Sequence, residues 1–67
     1  MKELGNLAVV CAQRPDVLLQ IYDGKVSVHA GTDPMRLVQY TTWDNDGEIR
    51  RTIRELNFGK YARKEGQ

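Results

Sequence analysis

The pattern of apolar and polar positions is clearest over Val17–Ala30, where two alternating runs flank Asp23-Gly24. Asp-Gly between β-branched and aromatic residues predicts a hairpin with a type I′ turn, because that turn needs positive φ at both central positions. The two-residue loop sets Tyr22 against Lys25, Ile21 against Val26 and Leu19 against Val28. Side chains alternate across a strand. One face therefore carries Val17, Leu19, Ile21, Val26, Val28 and Ala30, and is wholly apolar. The other carries Leu18, Gln20, Tyr22, Lys25, Ser27 and His29. A slip of one residue would exchange the faces, so burial of the apolar side fixes the register.

Ahead of the hairpin, Leu4, Leu7, Ala8 and Cys11 recur at i, i+3, i+4 and i+7, with Val10 widening the stripe. This spacing predicts a helix over 2–13. Arg14-Pro15 ends it, since proline cannot continue the ladder and restricts the residue before it. Gly31-Thr-Asp-Pro34 reads as a loop. Met35–Trp43 is rich in strand-favouring types and predicts a third strand. Its buried side is either Leu37, Gln39, Thr41 and Trp43, or Val38, Tyr40 and Thr42 with Arg36 at the end. Asp44-Asn-Asp-Gly47 is a turn in which Asp44 or Asp46 would cap the next helix. Over 48–57, Ile49, Ile53 and Leu56, with Thr52 between, form an apolar stripe, and Arg50, Arg51, Arg54 and Glu55 fill the remaining surface. Asn57 and Gly59 suit the helix end. Phe58 and Tyr61 are expected to fold onto the core edge, and residues 62–67 to fray.

The predicted order is α-β-β-β-α: an α+β domain over 1–61, with a three-stranded antiparallel sheet and both helices on its apolar face. The mixed face of the sheet is left open.

Length adds a constraint. A chain of 67 residues buries only about 60% of the surface its unfolded form exposes, so self-association would help to stabilise it. One cysteine and one histidine supply neither an internal disulfide nor a Cys/His zinc cluster. No apolar run reaches the length of a membrane span, and the first residues lack a signal-peptide pattern. A cytoplasmic setting with a free thiol is expected, with no cofactor and no metal.

Charge divides the chain. Residues 1–47 hold four basic and six acidic side chains, whereas 48–67 hold six basic and three acidic. The basic residues Arg50, Arg51, Arg54, Lys60, Arg63 and Lys64 offer phosphate contacts of the salt-dependent kind. No glycine-rich phosphate loop is present. Cys11 sits on an apolar stripe near the C-terminal end of its helix, away from anything that would activate a thiol, and packs as a small hydrophobe. Asp44, Asp46 and Glu48 lack the remaining ligands of a calcium loop and read as a turn and cap. Tyr22, His29, Tyr40 and Trp43 offer an aromatic platform if the third strand's register brings them together.

The element order resembles that of the double-stranded-RNA-binding domain. That family uses a long loop after its first strand and a lysine cluster opening its last helix. Here the loop is Asp23-Gly24 and the helix opens with Asp46, Gly47 and Glu48, so the family's function is not carried over. The runs Leu7-Ala-Val-Val-Cys-Ala-Gln-Arg-Pro-Asp-Val-Leu-Leu-Gln-Ile-Tyr22 and Glu55-Leu-Asn-Phe-Gly-Lys-Tyr61 resemble small bacterial proteins of mobile elements. That resemblance spans about residues 4–61 and implies a bacterial cytoplasmic accessory protein with no assigned activity.

The expected function is binding, not catalysis, because no convergent set of acid, base and nucleophile exists. The first reading is a protein-interaction or homodimerising module using Leu18, Gln20, Tyr22 and His29. The alternative is an accessory nucleic-acid binder using Arg50, Arg51, Arg54 and Lys60.

Overall fold

The computed structural model describes residues 2–31 and 34–62. Helix α1 (Lys2–Ala12) is followed by strands β1 (Val17–Tyr22), β2 (Lys25–Ala30) and β3 (Arg36–Thr42), and then by helix α2 (Asp46–Asn57). The sheet is antiparallel in the order β1-β2-β3. This is the expected α+β arrangement. The middle of the 31–34 loop and the tail beyond Ala62 lie outside the described residues. Ala62 itself is half-buried and donates its N–H to the Gly59 carbonyl at 3.1 Å.

The hairpin folds in the expected register, from Val17 opposite Ala30 to Tyr22 opposite Lys25. Asp23 and Gly24 take φ of 50° and 74°, as a type I′ turn demands. Leu7, Cys11, Val26, Val28, Ala30, Ile49 and Leu56 form the core, with Leu4, Val10, Val17, Leu19, Val38, Ile53 and Tyr61 packed around it. Thr52 is also enclosed, its hydroxyl donating to the Glu48 carbonyl one turn back at 3.0 Å.

Four expectations need correction. Ile21 was placed on the covered face, yet it is 45% exposed while its partner Val26 is fully enclosed. The reason is position: β2 is central, whereas β1 is an edge strand with a neighbour on one side only. Ala8 is exposed at the margin of its stripe. Phe58 points into solvent at 86% exposure, and Tyr61 alone folds back onto the core. Asn45, not Asp44 or Asp46, caps α2, its side-chain oxygen accepting from the Glu48 N–H at 3.2 Å. Asp46 instead accepts from the Glu3 N–H at 3.3 Å, near the start of α1.

The third strand follows neither candidate face. A bulge at Val28/His29 shifts the pairing, so that Gln39 faces Val28 but Leu37 faces His29. A bulge adds one residue to one strand and changes its parity. Val38 packs on the core, and Gln39 donates to Glu48 of α2 at 3.1 Å. Leu37, Tyr40 and Thr42 share the rows of the open face.

Arg14 is the least anticipated part of the core. It is 9% exposed. Its Nε and Nη2 donate to the two Asp16 carboxylate oxygens, each at 2.9 Å. Nη1 donates to the Leu56 carbonyl at 2.7 Å, and Nη2 also to the Tyr61 carbonyl at 2.9 Å. The last carbonyls of a helix lack intrahelical partners, so this guanidinium caps α2 from the α1–β1 connection. Asp16 first, by hydrogen bonding, raises the guanidinium's pKa above its ordinary value.

Candidate interaction surface

Pairing across three strands arranges the open face in three rows: Leu18–His29–Leu37, Gln20–Ser27–Tyr40 and Tyr22–Lys25–Thr42. Three of the four predicted interface residues, Leu18, Gln20 and Tyr22, lie on β1, and His29 lies beside Leu18 on β2. Leu18, Tyr22, Leu37 and Tyr40 are 43%, 52%, 55% and 50% exposed. His29 is half-buried.

The middle of this face is knitted together. Tyr22 and Tyr40 stand on opposite sides of β2, and the Tyr40 hydroxyl is the hydrogen-bonding neighbour that most perturbs the Tyr22 phenol. That bond, followed by the neighbouring charge, raises the Tyr22 pKa above that of a free phenol, while Lys25 opposes the shift. Ser27, expected on an open surface, is 3% exposed and donates to the Gln20 side-chain oxygen at 3.4 Å. Its neighbours in the row are Gln20 and Tyr40, so the smallest side chain there is overshadowed by larger ones. Of the predicted aromatic platform, Tyr22 and Tyr40 fall in adjacent rows of the open face, whereas Trp43 lies one residue past β3. Leu37 belongs to the surface and was not singled out in advance. Its place depends on the bulge, which no glycine or proline marks.

The basic residues occupy α2. Arg50, Arg51 and Arg54 line, with Gly47, a shallow groove of about 240 Å³. Arg50 Nη2 lies 3.5 Å from Glu3 Oε2, and Arg51 Nη1 lies 3.5 Å from Glu48 Oε1. Lys60 is not part of that groove; it borders a second depression, shared with Arg51, Glu55 and Tyr61. Arg63 and Lys64 lie outside the described residues.

Cys11 is buried and free, and burial, partly opposed by Arg14, raises its thiol pKa. A thiol so placed is a poor nucleophile. Among the described residues no three His, Cys, Asp or Glu side chains converge as metal ligands, and no helix is long and apolar enough to cross a membrane. No protein-family model, curated protein or solved structure matches the chain.

Proposed function

We propose that this chain is a small non-enzymatic interaction module that self-associates through the open side of its sheet, in an accessory or regulatory role in a bacterial cytoplasm. The carrying observation is the exposure of Leu18, Tyr22, Leu37 and Tyr40 together on one face. An antiparallel sheet that faces water on one side ordinarily turns polar residues outward. Here Lys25 is the only charged member of the three rows. Association would also stabilise a short chain by mass action. The test is molar mass by light scattering over a concentration series. A rise from 7.7 kDa to twice that value is expected, and Tyr22→Glu should abolish it with the circular dichroism spectrum unchanged. A monomer at every concentration sinks the reading.

The groove between Arg50, Arg51 and Arg54 supports a second reading, contact with nucleic-acid phosphates. It calls for salt-dependent binding to mixed DNA and RNA, lost when the three arginines are changed to glutamate. No mobility shift at low salt would rule it out.

A further inference from the structure

The two edges of the sheet are protected unequally. β3 begins with Arg36 and carries the bulge, two devices that discourage edge-to-edge pairing. β1 has neither. Val-Leu-Leu-Gln-Ile-Tyr holds no charge and no proline, and it pairs with β2 without a shift over all six positions. Apolar side chains are exposed on both of its sides, Leu18 and Tyr22 on one and Ile21 on the other.

The backbone parity of β1 follows from its hairpin. Residues flanking a two-residue loop exchange hydrogen bonds, and so do pairs two positions further along. Leu18, Gln20 and Tyr22 therefore spend their backbone groups on β2. The bond from the Gly31 N–H to the Asp16 carbonyl, 3.2 Å, continues the same series. Leu19 and Ile21 direct N–H and C=O away from the sheet, where no described element pairs with them. The Val17 N–H is already given to the Arg14 carbonyl at 3.1 Å, so the free edge starts at Leu19.

We propose that two copies of this chain pair antiparallel through β1, about a two-fold axis at Gln20, to form one six-stranded sheet. This rests on the self-association reading above for the dimer alone: the seam lies along the β1 edge, and Leu37 and Tyr40 of the open face stay uncovered. Facing residues of an antiparallel pair lie on the same side of the sheet, so only registers centred on a residue match the two faces. Centring on Leu19 would require the committed Val17 N–H. Centring on Gln20 uses Leu19 and Ile21 alone: each exchanges two hydrogen bonds with the other's counterpart in the second copy. On the open face Leu18 then meets the partner's Tyr22, and on the helix face Leu19 meets the partner's Ile21. Every exposed apolar residue of β1 gains an apolar neighbour, and no charge is buried.

Helix α1 fits this arrangement. It packs on the β1 side of the sheet. Its solvent side carries Gly5, Ala8, Val9 and Ala12, at i, i+3, i+4 and i+7, with no charge between Leu4 and Gln13. Adjacent strands lie about 4.8 Å apart, closer than the usual 8–10 Å between helix axes. Two copies of α1 above paired β1 strands must approach closely, and small side chains permit that.

The axis supplies the test. Gln20 faces itself as a non-hydrogen-bonded pair, with Cα atoms about 4.5 Å apart, inside the disulfide range. In a Cys11→Ala background, Gln20→Cys is expected to give a covalent dimer on mild oxidation. Leu18→Cys alone is expected to give none, but should link to Tyr22→Cys when the two proteins are mixed. Tyr40→Cys, two strands away, should stay unlinked. In the unaltered protein, amide exchange at Leu19 and Ile21 should slow at least about tenfold as concentration carries the chain from monomer to dimer. A dimer by mass that leaves those two amides fast, or that links through Tyr40→Cys and not Gln20→Cys, overturns the edge geometry and leaves self-association standing. A monomer at all concentrations overturns both.

Discussion

The half built from α1 and β1 and the half built from β3 and α2 solve the same packing problem with different materials. Helix α2 gives three enclosed residues, Ile49, Thr52 and Leu56, and turns Arg50, Arg51 and Arg54 to solvent. Helix α1 encloses Leu7 and Cys11, yet its solvent side is made of glycine, alanine, valine and asparagine. β3 opens on Arg36, whereas β1 has no charge at all. A helix with a charged outer stripe declares its inner side, because water must cover the rest. A helix apolar or small all round does not. Spacing alone therefore defines the buried stripe of α2, whereas on α1 it does not separate the exposed Ala8 from the buried Leu7 and Cys11.

Matched truncations put this difference on a scale. Ile49→Ala removes a fully enclosed side chain and should cost about 3–4 kcal/mol, a large share of the roughly 3–10 kcal/mol available to a domain of this length. Ile21→Ala, on the exposed edge of β1, should cost less than about 1 kcal/mol to the monomer. Urea denaturation at low protein concentration measures both. Equal losses would mean that the edge of β1 is as enclosed as the centre of α2.

Arg14 joins the halves, so its loss should be felt by both. Arg14→Ala deletes charge-assisted bonds to the Leu56 and Tyr61 carbonyls and leaves Asp16 without its bidentate partner. Asp16 is partly solvated, which limits the penalty for losing that contact. A loss of about 3 kcal/mol is expected, with the end of α2 exchanging amide hydrogens faster. If Arg14→Ala denatures at the same urea concentration as the parent, the guanidinium is not a cap. Asn45→Ala touches α2 alone and should cost only about 1 kcal/mol, through the orphaned Glu48 N–H.

What the sequence made legible follows the same division. The hairpin was readable to the residue, because the Asp23-Gly24 turn and a wholly apolar face demand one register. Element order followed from breaks at Arg14-Pro15 and Asp44–Gly47. The bulge at Val28/His29 was not readable: β3 carries an apolar residue on each of its sides, so neither parity was excluded, and nothing in composition marks the shift. Arg14 was hidden because an arginine beside proline looks like a solvated loop residue until the end of α2, 42 residues on, is brought against it. Leu18, Gln20 and Tyr22 fall on the open face because alternation along β1 is strict. Leu37 and the burial of Ser27 depend on where β3 sits, and so came only with the fold.

The mildest change tests the join between the edges at the open face. Tyr40 on β3 raises the Tyr22 pKa, chiefly by hydrogen bonding across β2, and Lys25 works against it. The sign is fixed by which form the bond favours. At pH below the ordinary phenol pKa of about 10 Tyr22 is protonated and the contribution is fully present; it is lost as pH rises through the raised folded value, on the alkaline side. Tyr40→Phe removes the partner oxygen while keeping the ring. In a spectrophotometric titration, the tyrosine assigned to position 22 should then ionise at lower pH than in the parent. An unchanged titration would mean that the two phenols do not meet, and that the two edges of the sheet are coupled only through the backbone of β2.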